Sequence, residues 1–245
     1  MDRWTALKAP AHAALSQRNY AAGSLLERLH SCGVTVAELL AADRQSLAHG
    51  WIPGVDLVPR RVFRQRHRGF FGEFVRDGQG VTGNLGLWPR QWASATMFHG
   101  TAKGFHIHPP FIPQGHEPGA WFQHLFGPSP APVSERPYDK EQWDVMFFVR
   151  GNVEMLLVDE RAGLERRVMR FFIEGDDSGG SVHAGVVIPP GVAHALRVEG
   201  SADVIMVYGT TTVFDPGAEG RIADAVEQCH LPAEWQAYLD GSSHA

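Results

Sequence analysis

Three histidines and one carboxylate in this chain have the residue types and the spacing of a divalent-metal site. His106 and His108 are two residues apart, so in a β-strand both imidazoles would point to the same interior. Asp144 opens an apolar run, and His194 follows the rigid turn at 189–191. Imidazole nitrogens and carboxylate oxygens are ligands for Fe, Mn, Ni and Zn. We predict that these four side chains meet and can hold one such ion.

A different interpretation of the same residues needs no metal. In it, Asp144 forms an ion pair with Lys103 or Arg150, and His108 is a hydrogen-bonded histidine of the interior. The two interpretations make different predictions about which side chains surround Asp144.

The elements that must position these residues are short strands. From Val81 to Val213, β-branched and aromatic residues alternate with turn residues, and no helical patterns of about ten residues lie between them. This pattern excludes a parallel βαβ sheet and predicts an antiparallel sandwich or barrel. The clearest strands are predicted at 145–149, 153–158, 168–173, 186–188 and 204–208.

The two ends of the chain have a different composition. Residues 1–58 are rich in Ala and Leu, and Ser24–Glu27 and Thr35–Glu38 have the form of helix capping boxes. We therefore predict a helical N-terminal extension over 1–58, a β domain over 59–217, and a helical tail over 218–245. Acids and bases nearly balance in the extension, which favours packing or dimerisation over DNA reading.

Composition limits the classes of function. The 245 residues carry a formal net charge of -5, which argues against sequence-independent nucleic-acid binding. The two cysteines do not form a disulfide framework, and no apolar run is long enough to span a membrane. We expect a cytoplasmic protein with no membrane or nucleic-acid partner.

Two further segments are candidates for ligand contact. Residues 60–75 interleave arginines with aromatics, which suits either an anionic ligand or a solvated basic strand edge. The long Pro/Gly/aromatic segment between His108 and Asp144 is a candidate lid over the site.

Several separate motifs, in the same order, resemble one enzyme family. They are Arg68-Gly-Phe-Phe-Gly-Glu73, then Gln91, Lys103-Gly104 and His106, then Gly151 to Arg161, Ile188 to His194, and Tyr208 to Pro216. With these motifs, Val62 to Ile222 resembles the dTDP-4-dehydrorhamnose 3,5-epimerases, RmlC-like cupin enzymes that make activated deoxysugars. The resemblance implies an all-β cupin jelly roll, or double-stranded β-helix, over 59–217, and a homodimer.

The resemblance also implies an activity on a nucleotide-linked keto-sugar. His106 would take a proton from the carbon beside the sugar ketone, and Tyr208 would return one on the opposite face. The residues implied to contact the substrate are Arg68, Glu73, Gln91 and Lys103. This mechanism requires no cofactor.

Two positions depart from the family pattern, and both become metal ligands. Asp144 stands where the family has a lysine that holds the enolate oxygen, and His108 stands where it has a glutamine. A carboxylate about 4 Å from a developing oxyanion costs about 4 kcal/mol at an effective dielectric near 20, which slows the step about a thousandfold. A divalent ion would offset this loss. However, His106 cannot be both a ligand and a base through the same nitrogen.

The sequence therefore leaves three functions open. The first is an isomerase or epimerase on a keto-sugar, with His106 and Tyr208 as its catalytic residues. The second is a metal-dependent cupin of another class, such as an Fe(II) oxygenase on a small organic substrate. If His106 is a metal ligand, either His99, Glu73 or Tyr208 does the acid and base work or the reaction is not epimerisation. The third is a non-catalytic sensor that binds a small molecule.

Overall fold

The chain folds mainly into β-structure. The computed structural model describes residues 34–35, 51–83, 86–108, 141–161, 164, 166–178, 183–215, 220–221 and 239. Within these ranges lie two larger sheets, a short hairpin, a 3-10 turn at Arg66–Arg68 and a short helix, α1 (Gly80–Gly83), and Leu239 is also helical. Among the described residues, no helix has the length and apolar character needed to cross a membrane.

The two larger sheets form the layers of a sandwich. The six-stranded sheet has the order β1 (Val34–Thr35), β9 (Val168–Glu174), β8 (Asn152–Asp159), β11 (Val192–Glu199), β6 (Ala102–Ile107) and β13 (Gly220–Arg221). The five-stranded sheet has the order β2 (Asp56–Pro59), β10 (Ala184–Ile188), β7 (Asp144–Arg150), β12 (Val204–Thr210) and β5 (Gln91–Met97). Neighbouring strands are antiparallel, except that β1 runs parallel to β9. This is the predicted jelly-roll arrangement, and all five strands predicted from the pattern are confirmed.

The core lies between the two sheets because alternate residues of each strand point inward. On β7, Met146 and Phe148 face the interior with Asp144, and on β8, Met155 and Leu157 do the same from the other layer. Apolar side chains fill most of the space, and the polar residues collect at one end.

The predicted helical extension is not supported at the positions that the structure describes. Val34–Thr35 is a strand, Asp56–Pro59 is another, and Trp51 and Ile52 are buried in the main core. The capping-box patterns report only local preference, which long-range strand pairing overrides. The remaining residues of 1–58 lie outside the described part of the chain, as do most of 218–245, although Gly220–Arg221 is a strand rather than a helix.

The basic stretch forms a separate hairpin of β3 (Val62–Arg64) and β4 (Phe70–Gly72). A buried ion pair holds its base, because the Arg60 guanidinium donates two hydrogen bonds to the Asp176 carboxylate, at 2.5 and 3.0 Å. Both side chains are only 2% exposed. Arg60 also lies over the rings of Phe74 and Phe147, 4.8 and 5.1 Å from their centroids. The hairpin is thereby fixed to the outer face of the five-stranded sheet.

Candidate active site

A cavity of about 410 Å³ opens between the two sheets at the polar end of the core. It has the size of a small-molecule site. Its lining includes seven residues predicted from the sequence and several that were not. The lining residues are Gln91, Lys103, His106, His108, Gln142, Asp144, Met146, His194, Leu196, Met206, Tyr208, Thr210 and Phe214.

A β-bulge aims the residues of β6 into this cavity. His106 pairs with His194 across the β6–β11 ladder, but Lys103 pairs with Leu196, so β6 has one more residue than its partner over this stretch. The bulge lets Lys103 and His106 line the same cavity, although an odd number of positions separates them. Gly104 makes this possible, because its φ is +122° and an added Cβ would lie 2.6 Å from the carbonyl oxygen of His194.

The opposite layer supplies the acid groups. Asp144 begins β7 and is 4% exposed, and the pleat puts its carboxylate on the same side as Met146. Tyr208, on β12, pairs with Met146 in register and lines the same cavity. The site therefore draws its histidines from the six-stranded sheet, and its carboxylate and its phenol from the five-stranded sheet.

Three of the four predicted metal ligands form a compact group. His108, Asp144 and His194 each offer a ligand atom, and these atoms all lie within 4.8 Å of one another. The Asp144 Oδ2 atom is 3.2 Å from His108 Nε2 and 3.6 Å from His194 Nε2. His106 lines the same cavity but is not among the residues whose ligand atoms form this group.

Gln142 joins this group and was not predicted from the sequence. Its side-chain Nε2 donates to Asp144 Oδ1 at 2.8 Å and lies 3.0 Å from His108 Nε2. Its side-chain oxygen accepts a hydrogen bond from the Thr212 hydroxyl, which fixes which way the amide faces. A glutamine just before a strand carries no spacing pattern that could have revealed this role.

The surroundings of Asp144 keep it ionised. Burial raises the pKa of its carboxyl, but attraction to His108, a hydrogen bond from His108, attraction to His194 and a hydrogen bond from Gln142 together outweigh burial. The pKa of Asp144 is therefore below its ordinary value. Within the described part of the chain, Asp144 contacts these three side chains and does not contact Lys103 or Arg150.

His194 is held as a neutral imidazole. Burial is the main cause that lowers its pKa to about 4, and nearby Asp144 only partly offsets it. The Nδ1 atom lies 3.2 Å from the carbonyl oxygen of Val192, which can only accept, so Nδ1 carries the proton. The Nε2 lone pair consequently points toward the Asp144 carboxylate.

This arrangement predicts a pH-dependent stability. Below pH 6.5 the unfolded chain binds a proton at His194 that the folded chain refuses until about pH 4, so stability falls as the pH drops through this window. We expect the free energy of unfolding of metal-stripped protein to decrease by about 3 kcal/mol from this source. Urea unfolding at a series of pH values measures it, and His194→Gln should remove this part of the slope. An unchanged slope in the variant would contradict the assignment.

Three other residues considered from the sequence lie away from the cavity. Arg68 is exposed at the end of the 3-10 turn, and Glu73 forms an ion pair with Arg76 beside the hairpin. His99 is 67% exposed and pairs with Asp203. None of these three lines the cavity of its own chain, so His99 and Glu73 are not placed to act as acid or base there. The predicted lid, residues 109–140, lies outside the described part of the chain.

Comparison with known proteins gives the same fold. No model of a protein family matches the chain. A spore coat polysaccharide biosynthesis protein, SpsL of Bacillus subtilis, is 25% identical over 150 residues, which cover 61% of this chain and 74% of that protein. The dTDP-6-deoxy-D-glucose-3,5-epimerase RmlC of Legionella pneumophila, solved with dTDP-4-keto-L-rhamnose, superposes with a TM-score of 0.50 at 19% identity. The superposition covers 71% of this chain and 75% of the epimerase chain. A 4-keto-6-deoxy sugar epimerase of Streptomyces spheroides gives a TM-score of 0.49 at 19% identity over 70% of each chain. The predicted resemblance is thus confirmed, and the chain has the fold of the dTDP-sugar 3,5-epimerases.

Proposed function

We propose that this protein is an isomerase or epimerase that moves a proton on the carbon beside the ketone of a nucleotide-linked sugar. The observation that carries the proposal is that His106 and Tyr208 line one cavity from the two opposing sheets. A base on one side of a substrate and an acid on the other are what inversion at carbon requires. The similarity to a polysaccharide biosynthesis protein supports a carbohydrate substrate.

The proton transfers balance without a redox partner. The His106 imidazole takes the proton from the carbon, and the two electrons of that C–H bond form the C=C of an enolate whose negative charge lies on oxygen. The Tyr208 phenol then gives its proton to the same carbon from the other side, and the ketone is restored. His106 and Tyr208 return to their starting states by exchange with solvent. Lys103 and Gln91 are the polar side chains available to orient the sugar.

The nucleotide and the homodimer are parts of the same proposal. Phe214 lines the cavity and is 60% exposed, so a ring is available at the opening for contact with a base. The hairpin presents Phe63 and Phe71, 55% and 50% exposed, as an apolar surface for a second subunit. Arg68 lies on the same hairpin, where its guanidinium suits phosphate oxygens. We expect a cytoplasmic location, as the sequence predicts.

The metal-dependent oxygenase of the second hypothesis is not better supported. A group of two imidazoles and a carboxylate occurs in oxygen-activating iron sites, but the same donors suit an ion that acts only as a Lewis acid. The ligand set alone therefore does not choose between the two reactions.

Solvent-hydrogen exchange tests the proposed function. In D2O, we expect the protein to incorporate deuterium into dTDP-4-keto-6-deoxyglucose at the carbon beside the ketone, because reversible abstraction mixes that proton with solvent. Mass spectrometry and NMR measure the incorporation. dTDP-glucose, which lacks the ketone, is the control and should not exchange.

Two outcomes would contradict it. If neither this sugar nor related nucleotide-linked keto-sugars bind or exchange, the substrate class is wrong. If they bind without exchange, the protein is not an isomerase, and the non-catalytic sensor becomes the better interpretation.

A further inference from the structure

We infer that His108, Asp144 and His194 bind one divalent first-row metal ion, and that His106 stays off the ion as the base. The inference deepens the proposed function, because it rests on the same cavity and adds an electrophile to it. It also resolves the conflict that the sequence leaves, in which His106 serves as either ligand or base.

Two of the three distances between the ligand atoms fit a shared ion, and the third, between the two imidazoles, is at most 4.8 Å. Ligand atoms about 2.1 Å from a metal are about 3.0 Å apart at a right angle and about 3.4 Å apart at the tetrahedral angle. The two distances to Asp144 Oδ2, 3.2 Å from His108 Nε2 and 3.6 Å from His194 Nε2, lie close to these values. The Asp144 carboxylate oxygen is therefore already spaced as a ligand from both imidazole nitrogens.

The orientation of His194 points to a cation between the groups. Its Nδ1 atom donates to the carbonyl oxygen of Val192, so Nε2 presents a lone pair toward a carboxylate oxygen. Two acceptors that face each other repel unless a positive charge lies between them. The backbone bond to Nδ1 is also the partner that metal-binding histidines commonly use to fix the ring.

Gln142 holds the carboxylate in a ligating position. It donates to Oδ1 of Asp144, which leaves Oδ2 directed at the two imidazoles. The Thr212 hydroxyl keeps the amide of Gln142 in this orientation. Hydrogen bonds of this kind to a ligating carboxylate are a regular feature of metal sites.

His106 lies close to the group but apart from it. Its ring stacks near that of His194, at 6.1 Å between centroids and an angle of 24°, and it lines the same cavity. An ion held by the other three would give the site a net charge of +1, since two imidazoles are neutral and the carboxylate contributes -1. Bound there, it would polarise the carbonyl oxygen as a Lewis acid.

Metal binding can be measured without any assay of activity. Full-length protein is purified without chelator for elemental analysis, then stripped with EDTA and titrated with Co²⁺, whose visible absorption reports its ligands. We expect close to one ion per chain, and a Kd for Co²⁺ that rises at least about 100-fold in His108→Gln and Asp144→Asn. His106→Asn should bind Co²⁺ as tightly as the wild type. His183→Gln, which changes a buried histidine elsewhere, is the matched control.

Each remaining outcome would overturn the assignment. If folded wild-type protein binds neither Co²⁺ nor Zn²⁺, the three residues form a hydrogen-bonded cluster around Gln142. If His106→Asn weakens binding as much as His108→Gln, the site has four ligands and His106 is not separate. Circular dichroism of each stripped variant shows whether lost binding reflects lost fold. These readouts do not depend on sugar exchange, so the ion and the proposed reaction can fail independently.

Discussion

Replacing His106 by asparagine is expected to slow deuterium incorporation into the keto-sugar about a thousandfold. A positioned general base typically contributes between about 10² and 10⁴ to a rate, and asparagine has no basic nitrogen to take the proton. The substrate Kd should change little, because Gln91 and Lys103 still line the cavity. Time-resolved mass spectrometry in D2O measures the rate, and calorimetry measures the affinity.

His99→Asn is the matched control for this experiment. His99 is 67% exposed and paired with Asp203, so its loss should leave exchange unchanged. Exchange at the wild-type rate in His106→Asn would show that another group removes the proton. A loss of exchange in His99→Asn would contradict the location of the site.

The second large effect concerns stability. Replacing Asp176 by leucine should destabilise the protein by about 3–5 kcal/mol, because it leaves the guanidinium of Arg60 buried without its counter-charge. Urea unfolding measures the loss. The space around Asp176 is small, because Gly72 packs directly on its carboxylate. A Cβ added at Gly72 would be 2.7 Å from Asp176 Oδ2.

A double variant separates the lost charge from the changed shape. Arg60→Met combined with Asp176→Leu removes both charges and should recover a large part of the stability that Asp176→Leu loses. If the double variant loses as much free energy of unfolding as the two single variants together, the ion pair is not the cause of the destabilisation. The effect would then belong to packing against Phe74 and Phe147.

The parts of this structure that follow from the sequence are those with a short-range period. The apolar run that follows Asp144 and the turn before His194 predict the two strands, and the pleat then leaves only two possible directions for the Asp144 side chain. Lys103 is different. Strict alternation does not place it on the side of His106, and only the bulge at Gly104 brings the two together.

Long-range contacts account for what the sequence does not show. Capping boxes predict helices in residues 1–58, but Val34–Thr35 pairs with a strand more than 130 residues later, and no local pattern records that pairing. Gln142 is recognisable only once Asp144 and His108 are known to lie beside it. Arg68 was identified from its motif, which says nothing of the distance between the hairpin and the cavity.

The division of the site between two layers has a thermodynamic consequence. His194 lies on one sheet and Asp144 on the other, so neither sheet alone contains the complete site. A ligand that contacts both sheets is released when the protein unfolds, so its binding stabilises the folded state. The midpoint temperature of thermal denaturation should therefore rise as the ligand concentration increases. A variant in which the two sheets no longer pack together should lose ligand binding completely.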